Sequence, residues 1–446
     1  MASPAAHSPE SPHGADGHEL DDGLDSLRRL VVGQGWPWVL VWLVSRGWMV
    51  SQWAQHYRYI ANDVNYYFGQ LRQPGGQANT LREYPLPVVW LLDLLRKPVA
   101  GDPNLYLVLF ACSMALLDAA FSIWLWRRHS RVASIYWMAY VFAMGPLVWF
   151  RYDLLAGVIV GMAAFLVAKD SRASGALVAL GAAMKLWPAL LVVALVGRTR
   201  DARRSLQAFL VTGASLALLS LLAAGPTRLF SPLTWQSDRG LQIESVWASL
   251  PMWHYHHDEW VDPTQVYSVH MSPFNAYEVY GPNVDLLVAL ASMTMAVSVL
   301  FALAVALLSW HRGSVQPEVR AMAMTAIVLA MLVGNKTLSP QYMVWLGAVM
   351  AAWLGLSPRG LDRVRSAVVA AIALVLAALT AYIYPGHYGE ITGSAPGSDK
   401  AVLALVVRNL GLVVMCLVLT IWTIRSLMPP RRFARAAGET DNISTR

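Results

Sequence analysis

The apolar stretch at residues 284–309, which reads VDLLVALASMTMAVSVLFALAVALLS, is the clearest indication of the fold. It carries a single charged side chain, that of Asp285, close to its first residue. A helix needs about 20 mostly apolar residues to cross the hydrocarbon core of a bilayer. The stretch is therefore long and apolar enough to predict a membrane-spanning helix.

Apolar stretches of this kind recur along the chain of 446 residues. Hydrophobic residues make up 56% of it and charged residues only 14%, against about 25% charged in an average soluble domain. This composition excludes a disordered chain and argues against a soluble globular protein. The predicted spans are 36–53, 105–126, 133–150, 154–168, 207–224, 284–309, 321–334, 341–356, 366–384 and 401–424, together with a hairpin or re-entrant pair at 175–197 bent near Trp187 and Pro188. The predicted fold is an all-α membrane bundle of about 12 segments.

The formal net charge is +7, and the position of the basic residues explains it. About twice as many Lys and Arg residues fall in the predicted cytoplasmic segments as in the outer ones, as the positive-inside rule requires. The charge therefore predicts orientation rather than nucleic-acid binding. We expect a disordered cytoplasmic tail at 1–35, a membrane domain at 36–425 with outer loops at about 54–104 and 225–283, and a basic cytoplasmic tail at 426–446.

The first outer loop carries the candidate catalytic residue. Asp63 lies about ten residues past the first predicted span, so its carboxylate can sit at headgroup level and take a proton from a hydroxyl. The alternative is that Asp63 caps a helix over 64–71. The neighbouring rings of Tyr66 and Tyr67 could stack on a sugar. The apolar run 84–95 is too short to span and predicts a helix lying in the membrane interface.

Six local patterns occur in order along the chain. They are NDVNYY at 62–67, YPLP at 84–87, RYD at 151–153, KLWP at 185–188 within 181–188, RGLQIES at 239–245 and NKTLSPQY at 335–342. These patterns resemble glycosyltransferase family 87, the mannosyltransferases that use polyprenyl-phosphate-mannose, including those that elongate phosphatidylinositol mannosides. The order of segments resembles the GT-C class of integral-membrane glycosyltransferases.

This resemblance implies a multi-pass enzyme of the plasma membrane with its active site on the extracytoplasmic face. It implies transfer of mannose from polyprenyl-phosphate-mannose to a glycolipid, such as a phosphatidylinositol mannoside, or to a cell-envelope glycan. The implied reaction is a direct displacement that inverts the anomeric centre, with Asp63 as the base and without a cofactor or metal ion. Arabinose on the same lipid phosphate remains an alternative donor, and a secondary transporter is the alternative from another class.

A leaving phosphate needs positive charge near the outer surface. The candidates are Lys336, Arg151, Arg58 and Lys185. Each has an ordinary alternative: Arg151 could pair with Asp153, Lys336 could extend to the interface, and Lys185 could pair with Asp118 inside the bundle.

Candidate substrate-binding residues lie in both outer loops and near Lys336. They are Tyr66, Tyr67, Glu244, His254, His257, Asn335 and Gln341. The group of His254, His256, His257, Asp258 and Glu259 could be a solvated loop or could bind a polar headgroup. Its spacing matches no strong metal signature, so a metal site is the weakest of the three readings.

Overall fold

The computed structural model describes residues 35–56, 60–76, 78–128, 130–235, 239–257, 266–395 and 399–428. The two predicted tails lie outside these ranges except for Gly35 and residues 426–428. The described chain is helical apart from one β-hairpin. Its α-helices are α1 (Trp36–Gln55), α2 (Asn62–Leu71), α3 (Leu86–Arg96), α4 (Pro103–Arg127), α5 (Arg131–Met144), α6 (Asp153–Leu166), α7 (Ser171–Met184), α8 (Arg200–Thr234), α9 (Ser249–His257), α10 (Val284–Arg312), α11 (Pro317–Gly334), α12 (Met343–Leu356), α13 (Leu361–Ala381), α14 (Tyr388–Ile391) and α15 (Asp399–Leu427).

Shorter helical turns connect several of these helices. They are 3₁₀ turns at Lys97–Val99, Pro146–Phe150, Trp187–Leu195, Val246–Ala248 and Pro340–Tyr342, and a π turn at Tyr382–Gly386. The chain divides into two structural units, Met1–Val50 and Ser51–Arg446. In the first unit, α1 exposes the apolar side chains Val39, Leu40, Leu43 and Val44. The second unit contains all the other helices.

Six described helices are long and apolar enough to cross a membrane. They are α4, α8, α10, α11, α13 with the π turn that follows it, and α15. Together with the near absence of strands, they agree with the predicted all-α membrane protein. The count of about 12 spans and the orientation stay predictions, because α1 and the shorter helices do not meet this length and hydropathy criterion.

Burial separates the outer helices of the second unit from its core. In the most apolar 18-residue segment of each helix, 6% of the residues are buried in α8 and 17% in α10, against 72% in α11. An apolar surface that stays exposed on a long helix suits contact with lipid tails. The helices α6, α11 and α12 are buried along most of their length and form the centre of this unit.

The predicted break in 175–197 is present. Helix α7 ends at Met184, Lys185 takes an extended conformation, and a 3₁₀ helix follows over Trp187–Leu195. A second break lies in α8, where Gly225 has φ 80° and Pro226 follows. A φ in this region suits only glycine without strain, and proline has no amide hydrogen to continue the ladder. Both breaks lie near the segments that build the cavity described below.

The outer segments fold onto the helices. Helix α3 occupies the predicted interfacial stretch and buries Val88, Val89 and Leu92 against the protein, while its contact with headgroups stays a prediction. Strands β1 (Ser268–Met271) and β2 (Tyr277–Tyr280) pair antiparallel, with Ser268 opposite Tyr280. Residues 241–243 run along β2, because the Ile243 amide donates to the Tyr277 carbonyl and the Val279 amide to the Leu241 carbonyl. The Gln242 amide donates to the Lys336 carbonyl at 3.0 Å, which fixes this layer to the loop after α11.

Candidate functional site

A cavity of about 620 Å³ opens among these outer segments. Its walls come from α2, the segment before α3, the α5–α6 connection, the end of α7, the β-hairpin and the loop between α11 and α12. Segments far apart in sequence therefore meet at one place. Of the twelve predicted site residues, nine line it: Asp63, Tyr66, Tyr67, Arg151, Lys185, Glu244, Asn335, Lys336 and Gln341.

Asp63 faces Arg151 at the cavity wall. Its Oδ2 lies 2.9 Å from Arg151 Nε, and Arg151 Nη1 donates to the carbonyls of Ile60 at 2.8 Å and Phe150 at 2.9 Å. The Arg151 side chain is 4% exposed, whereas that of Asp63 is 24% exposed. One buried guanidinium thus holds both the start of α2 and the carboxylate, and leaves the carboxylate open to the cavity.

Both ordinary alternatives for this pair are wrong. The residue before α2 is Ala61, and no side chain caps the helix, so Asp63 lies within the first turn and its carboxylate binds Arg151. Arg151 in turn pairs with Asp63 rather than with Asp153. Asp153 does not pair with Arg151, although it is only two residues away, because it is the first residue of α6 and its side chain contacts another partner.

That partner is Lys185, at the break after α7. Lys185 Nζ lies 2.5 Å from Asp153 Oδ1, which also accepts from Trp345 Nε1 at 2.8 Å. The ammonium lies over the rings of Tyr342 at 4.4 Å, Trp345 at 5.0 Å and Tyr152 at 5.1 Å. Aromatic faces attract a cation, so the lysine is held by an ion pair inside an aromatic cage.

The alternative for Lys185, pairing with Asp118, is wrong. Asp118 is buried and its Oδ1 accepts from Trp137 Nε1 at 2.9 Å. The side chain of Lys185 is 17% exposed and lines the cavity, so its ammonium group is partly accessible from the cavity.

The two tyrosines of α2 differ in their surroundings. The Tyr66 hydroxyl donates to Glu83 Oε1 at 2.8 Å. Tyr67 is 1% exposed, and its ring packs edge-on against Tyr84 and Tyr152. Tyr66 therefore presents a polar group to the cavity, whereas Tyr67 mainly supports the wall.

Lys336, Asn335 and Gln341 lie on the loop between α11 and α12. The Asn335 side-chain oxygen accepts from the Thr337 amide and from the Thr337 hydroxyl, both at 2.9 Å. An asparagine that binds the backbone two residues on closes a tight turn. Asn335 therefore shapes the loop that carries Lys336 to the cavity.

Glu244 lines the cavity but is 0% exposed. Burial raises its pKa to about 7, while the Arg408 guanidinium and the Tyr388 hydroxyl favour the ionised form. Arg408 Nη2 also donates to the Glu244 carbonyl at 2.7 Å. These contacts connect the segment that contains Glu244 to α15. Glu244 is therefore packed inside the protein at the wall of the cavity.

The histidines lie outside the set of described residues that line the cavity. His257 stacks on Trp253 at 4.0 Å and its Nδ1 is 2.9 Å from the Trp253 carbonyl. His254 stacks on Tyr267, and His256 Nε2 is 3.2 Å from the Ile391 carbonyl. A role of His254 and His257 in binding a headgroup stays a prediction.

Three predicted candidates lie outside the described residues: Arg58, Asp258 and Glu259. Within the described ranges, no group of three or more His, Cys, Asp and Glu side chains is placed to hold a metal ion.

Sequence reasoning missed three charged residues of the cavity: Glu83, Arg239 and Asp153 as the partner of Lys185. The Arg239 guanidinium lies 5.5 Å from the Phe274 ring centroid, near the tip of the hairpin. Glu83 directly precedes the family-like pattern at 84–87, and Arg239 is the first residue of the pattern at 239–245. These positions could have indicated both residues from the sequence. The cavity thus combines carboxylates, cations and aromatic rings, the groups that bind a sugar and a phosphate.

Comparison with known protein families gives a match. The model of glycosyltransferase family 87 matches residues 83–334, more than half of the chain, and this range contains Glu83, Arg151, Lys185 and Glu244. Asp63 lies before it and Lys336 just after it. No curated protein and no solved structure matches the chain. The chain belongs to glycosyltransferase family 87.

Proposed function

We propose that this glycosyltransferase transfers a mannosyl residue from polyprenyl-phosphate-mannose to a glycolipid acceptor on the outer membrane face. The observation that carries the proposal is the Asp63–Arg151 pair, in which a buried guanidinium presents an accessible carboxylate to the cavity. The apolar surfaces of α8 and α10 support a lipid-linked donor. Family membership favours a transferase over the transporter alternative.

The proposed reaction is one displacement. The acceptor hydroxyl oxygen attacks the anomeric carbon as the bond between that carbon and the phosphate oxygen breaks. The electron pair of the broken bond leaves with polyprenyl phosphate. Asp63 takes the proton of the acceptor hydroxyl. One base is enough for this reaction, because a phosphate leaves as an anion without the acid that a hydrolase supplies to an alcohol.

The contacts of the cations support a separate proposed role for each. Arg151 is engaged with Asp63, so we assign it to holding the base. Lys336 is proposed to contact the leaving phosphate. It lines the cavity from the loop between α11 and α12, which is far from α2 along the chain. Lys185 is proposed to attract the phosphate more weakly than Lys336, because its ion pair with Asp153 offsets part of its positive charge. Arg58 stays a candidate from sequence alone.

The test uses purified full-length protein in lipid nanodiscs, with polyprenyl-phosphate-mannose and phosphatidylinositol mannosides. We expect a product heavier by one hexose, formed without a nucleotide sugar. Asp63→Asn should lower kcat by at least about 100-fold, since a positioned base contributes roughly 10²–10⁴ in rate. Asp93→Asn is the matched control, because this outer-segment carboxylate pairs with Arg96 at 2.7 Å and is not a cavity residue.

Each other outcome overturns a stated part of the proposal. A strict requirement for a nucleotide sugar excludes the lipid donor. A pentose increment from polyprenyl-phosphate-arabinose, with no hexose transfer, identifies the arabinosyl alternative. Normal turnover by Asp63→Asn excludes Asp63 as the base.

A further inference from the structure

The cavity contains a second carboxyl group on the first outer segment, Glu83, to which the proposed displacement gives no role. Its Oε1 accepts the hydrogen bond from the Tyr66 hydroxyl at 2.8 Å. Tyr66 follows Asp63 by three residues on α2, and side chains at this spacing share a helix face with Cβ atoms about 5–6 Å apart. The Tyr66–Glu83 pair therefore lies beside the proposed base in the wall of the same cavity.

The backbone around Glu83 is held by α8. Arg228 Nη2 donates to the carbonyls of Leu81 at 3.1 Å and Tyr84 at 2.9 Å, and Arg228 Nη1 donates to Ser231 Oγ at 2.9 Å. The Ser231 hydroxyl is 2.7 Å from the Arg82 carbonyl oxygen, to which it donates. The carbonyls on both sides of Glu83 are thus fixed to one helix.

Leu81 shows how firmly this segment is held. Its φ is 48°, in the left-handed region that costs a residue with a branched side chain about 1–2 kcal/mol. Leu81 is 1% exposed, and such a conformation persists only where the surroundings determine it. The position of Glu83 is therefore imposed by tertiary contacts.

The chemistry of the pair suits a polyol. Burial raises the pKa of Glu83, while the Tyr66 hydroxyl, Arg228 and Arg239 favour the ionised carboxylate. A carboxylate has about four lone-pair sites, so Glu83 can accept from a substrate hydroxyl in addition to Tyr66. The Tyr66 oxygen can itself accept one hydrogen bond. Neighbouring hydroxyls of a pyranose, each a donor and an acceptor, match this arrangement.

We propose that Tyr66 and Glu83 form the acceptor subsite, which binds a hydroxyl adjacent to the one that Asp63 deprotonates, and that Arg228 and Ser231 are its positioning residues. This inference rests on the proposed function, because it takes Asp63 as the base. The substrate class is a glycolipid whose terminal residue is a pyranose with neighbouring free hydroxyls.

The first test measures acceptor and donor kinetics separately. The probes are octyl α-D-mannopyranoside, below its micellar concentration, and its four monodeoxy analogues, with polyprenyl-phosphate-mannose as donor. Glu83→Gln should raise the acceptor KM about tenfold or more, since a hydrogen bond to a charged group contributes about 1.5–3 kcal/mol. The donor KM should stay within about twofold, and Asp93→Asn should match the wild type in both.

The deoxy analogues identify the hydroxyl. In the wild type, one analogue that keeps the reacting hydroxyl should lose about tenfold in kcat/KM, and Glu83→Gln should no longer distinguish it from the parent probe. Arg228→Lys should raise the acceptor KM with the donor KM unchanged, because an ammonium lacks the planar fork that reaches several carbonyls. Such coupling between a side chain and one substrate hydroxyl does not arise from a general loss of structure.

The inference and the proposed function fail in different ways. Wild-type protein that transfers mannose while Glu83→Gln keeps the wild-type acceptor KM and discrimination excludes the subsite alone, as does a rise in the donor KM alone. Wild-type protein that transfers no mannose excludes the proposed function. Equilibrium binding of the octyl mannoside, read from tryptophan fluorescence, then decides the subsite: binding about tenfold weaker in Glu83→Gln supports it, and unchanged binding overturns it.

Discussion

Arg151 is the residue whose contacts say most about the site. Its buried guanidinium binds the Asp63 carboxylate, the Ile60 carbonyl and the Phe150 carbonyl, so it joins the proposed base to the connection between α5 and α6. Sequence spacing suggested a pair with Asp153, two residues away. The observed pairs are Arg151 with Asp63 and Lys185 with Asp153. They form because helix packing brings these side chains together although they are far apart along the chain.

At the residue scale, Glu244 gives a prediction about pH. Its pKa is raised to about 7 in the folded protein by burial, so the folded state binds more protons than the unfolded state between the ordinary carboxyl value and pH 7. Stability should therefore fall as pH rises through that window and level off above it, by about 3 kcal/mol at most. The measurement is the Tm of detergent-solubilised protein from pH 5 to 8.

Comparison of the wild type with Glu244→Gln isolates this effect. The pKa of His256 is lowered by burial, which contributes a slope of opposite sign that both proteins share. The Tm of the wild type should fall relative to that of the variant as pH rises from 5 to 7, because only the wild type carries the Glu244 carboxyl group. The same pH profile in the two proteins would contradict the prediction.

At the element scale, the two breaks in the helices place the site. The break after α7 turns Lys185 to the cavity, and the break at Gly225 precedes the turn of α8 that carries Arg228 and Ser231. Because a regular helix fixes the direction of each side chain, we expect that none of these three side chains would reach the same partners from an unbroken helix. Pro188 made the break after α7 predictable from the sequence, whereas the break at Gly225 and the contacts that both breaks create were not predicted.

The packing of α7 on α8 gives the prediction for this scale. A Cβ added at Gly175 would overlap the Ser205 carbonyl oxygen of α8, and the Ser205 hydroxyl donates to the Ser171 carbonyl at 2.8 Å across the same contact. Gly175→Ala should destabilise the protein by about 1–3 kcal/mol, seen as a Tm lower by several degrees in nanodiscs.

Gly213→Ala is the matched control for that contact. Gly213 lies on α8, and an added Cβ would meet Ala179 of α7 at 3.8 Å, an ordinary van der Waals distance. Since alanine favours a helix over glycine by up to about 1 kcal/mol, its Tm should be unchanged or higher. Equal losses of Tm in the two variants would contradict the close approach at Gly175.

At the scale of the whole molecule, the outstanding question is orientation. The basic residues predict that α2 lies outside and that the connection between α10 and α11 lies inside. Asn65 and Ser314 are exposed positions in these two places. In a background without Cys112 and Cys416, a cysteine at position 65 should react with a membrane-impermeant maleimide in intact cells, and one at position 314 only after lysis. The reverse pattern would invert the proposed topology.

Hydropathy and residue pattern alone predicted an all-α membrane protein, the break near Pro188 and nine candidate residues that line the cavity, whereas the break at Gly225 was not predicted. Hydropathy and proline act locally, through solvation and backbone geometry, so they can be interpreted without knowing the neighbours. The tertiary structure decided which charges pair, that Asp63 faces Arg151, that the histidines lie elsewhere, and that Glu83 enters the cavity. These depend on distances between segments remote along the chain, since an ion pair or a hydrogen bond forms wherever packing brings its two groups together.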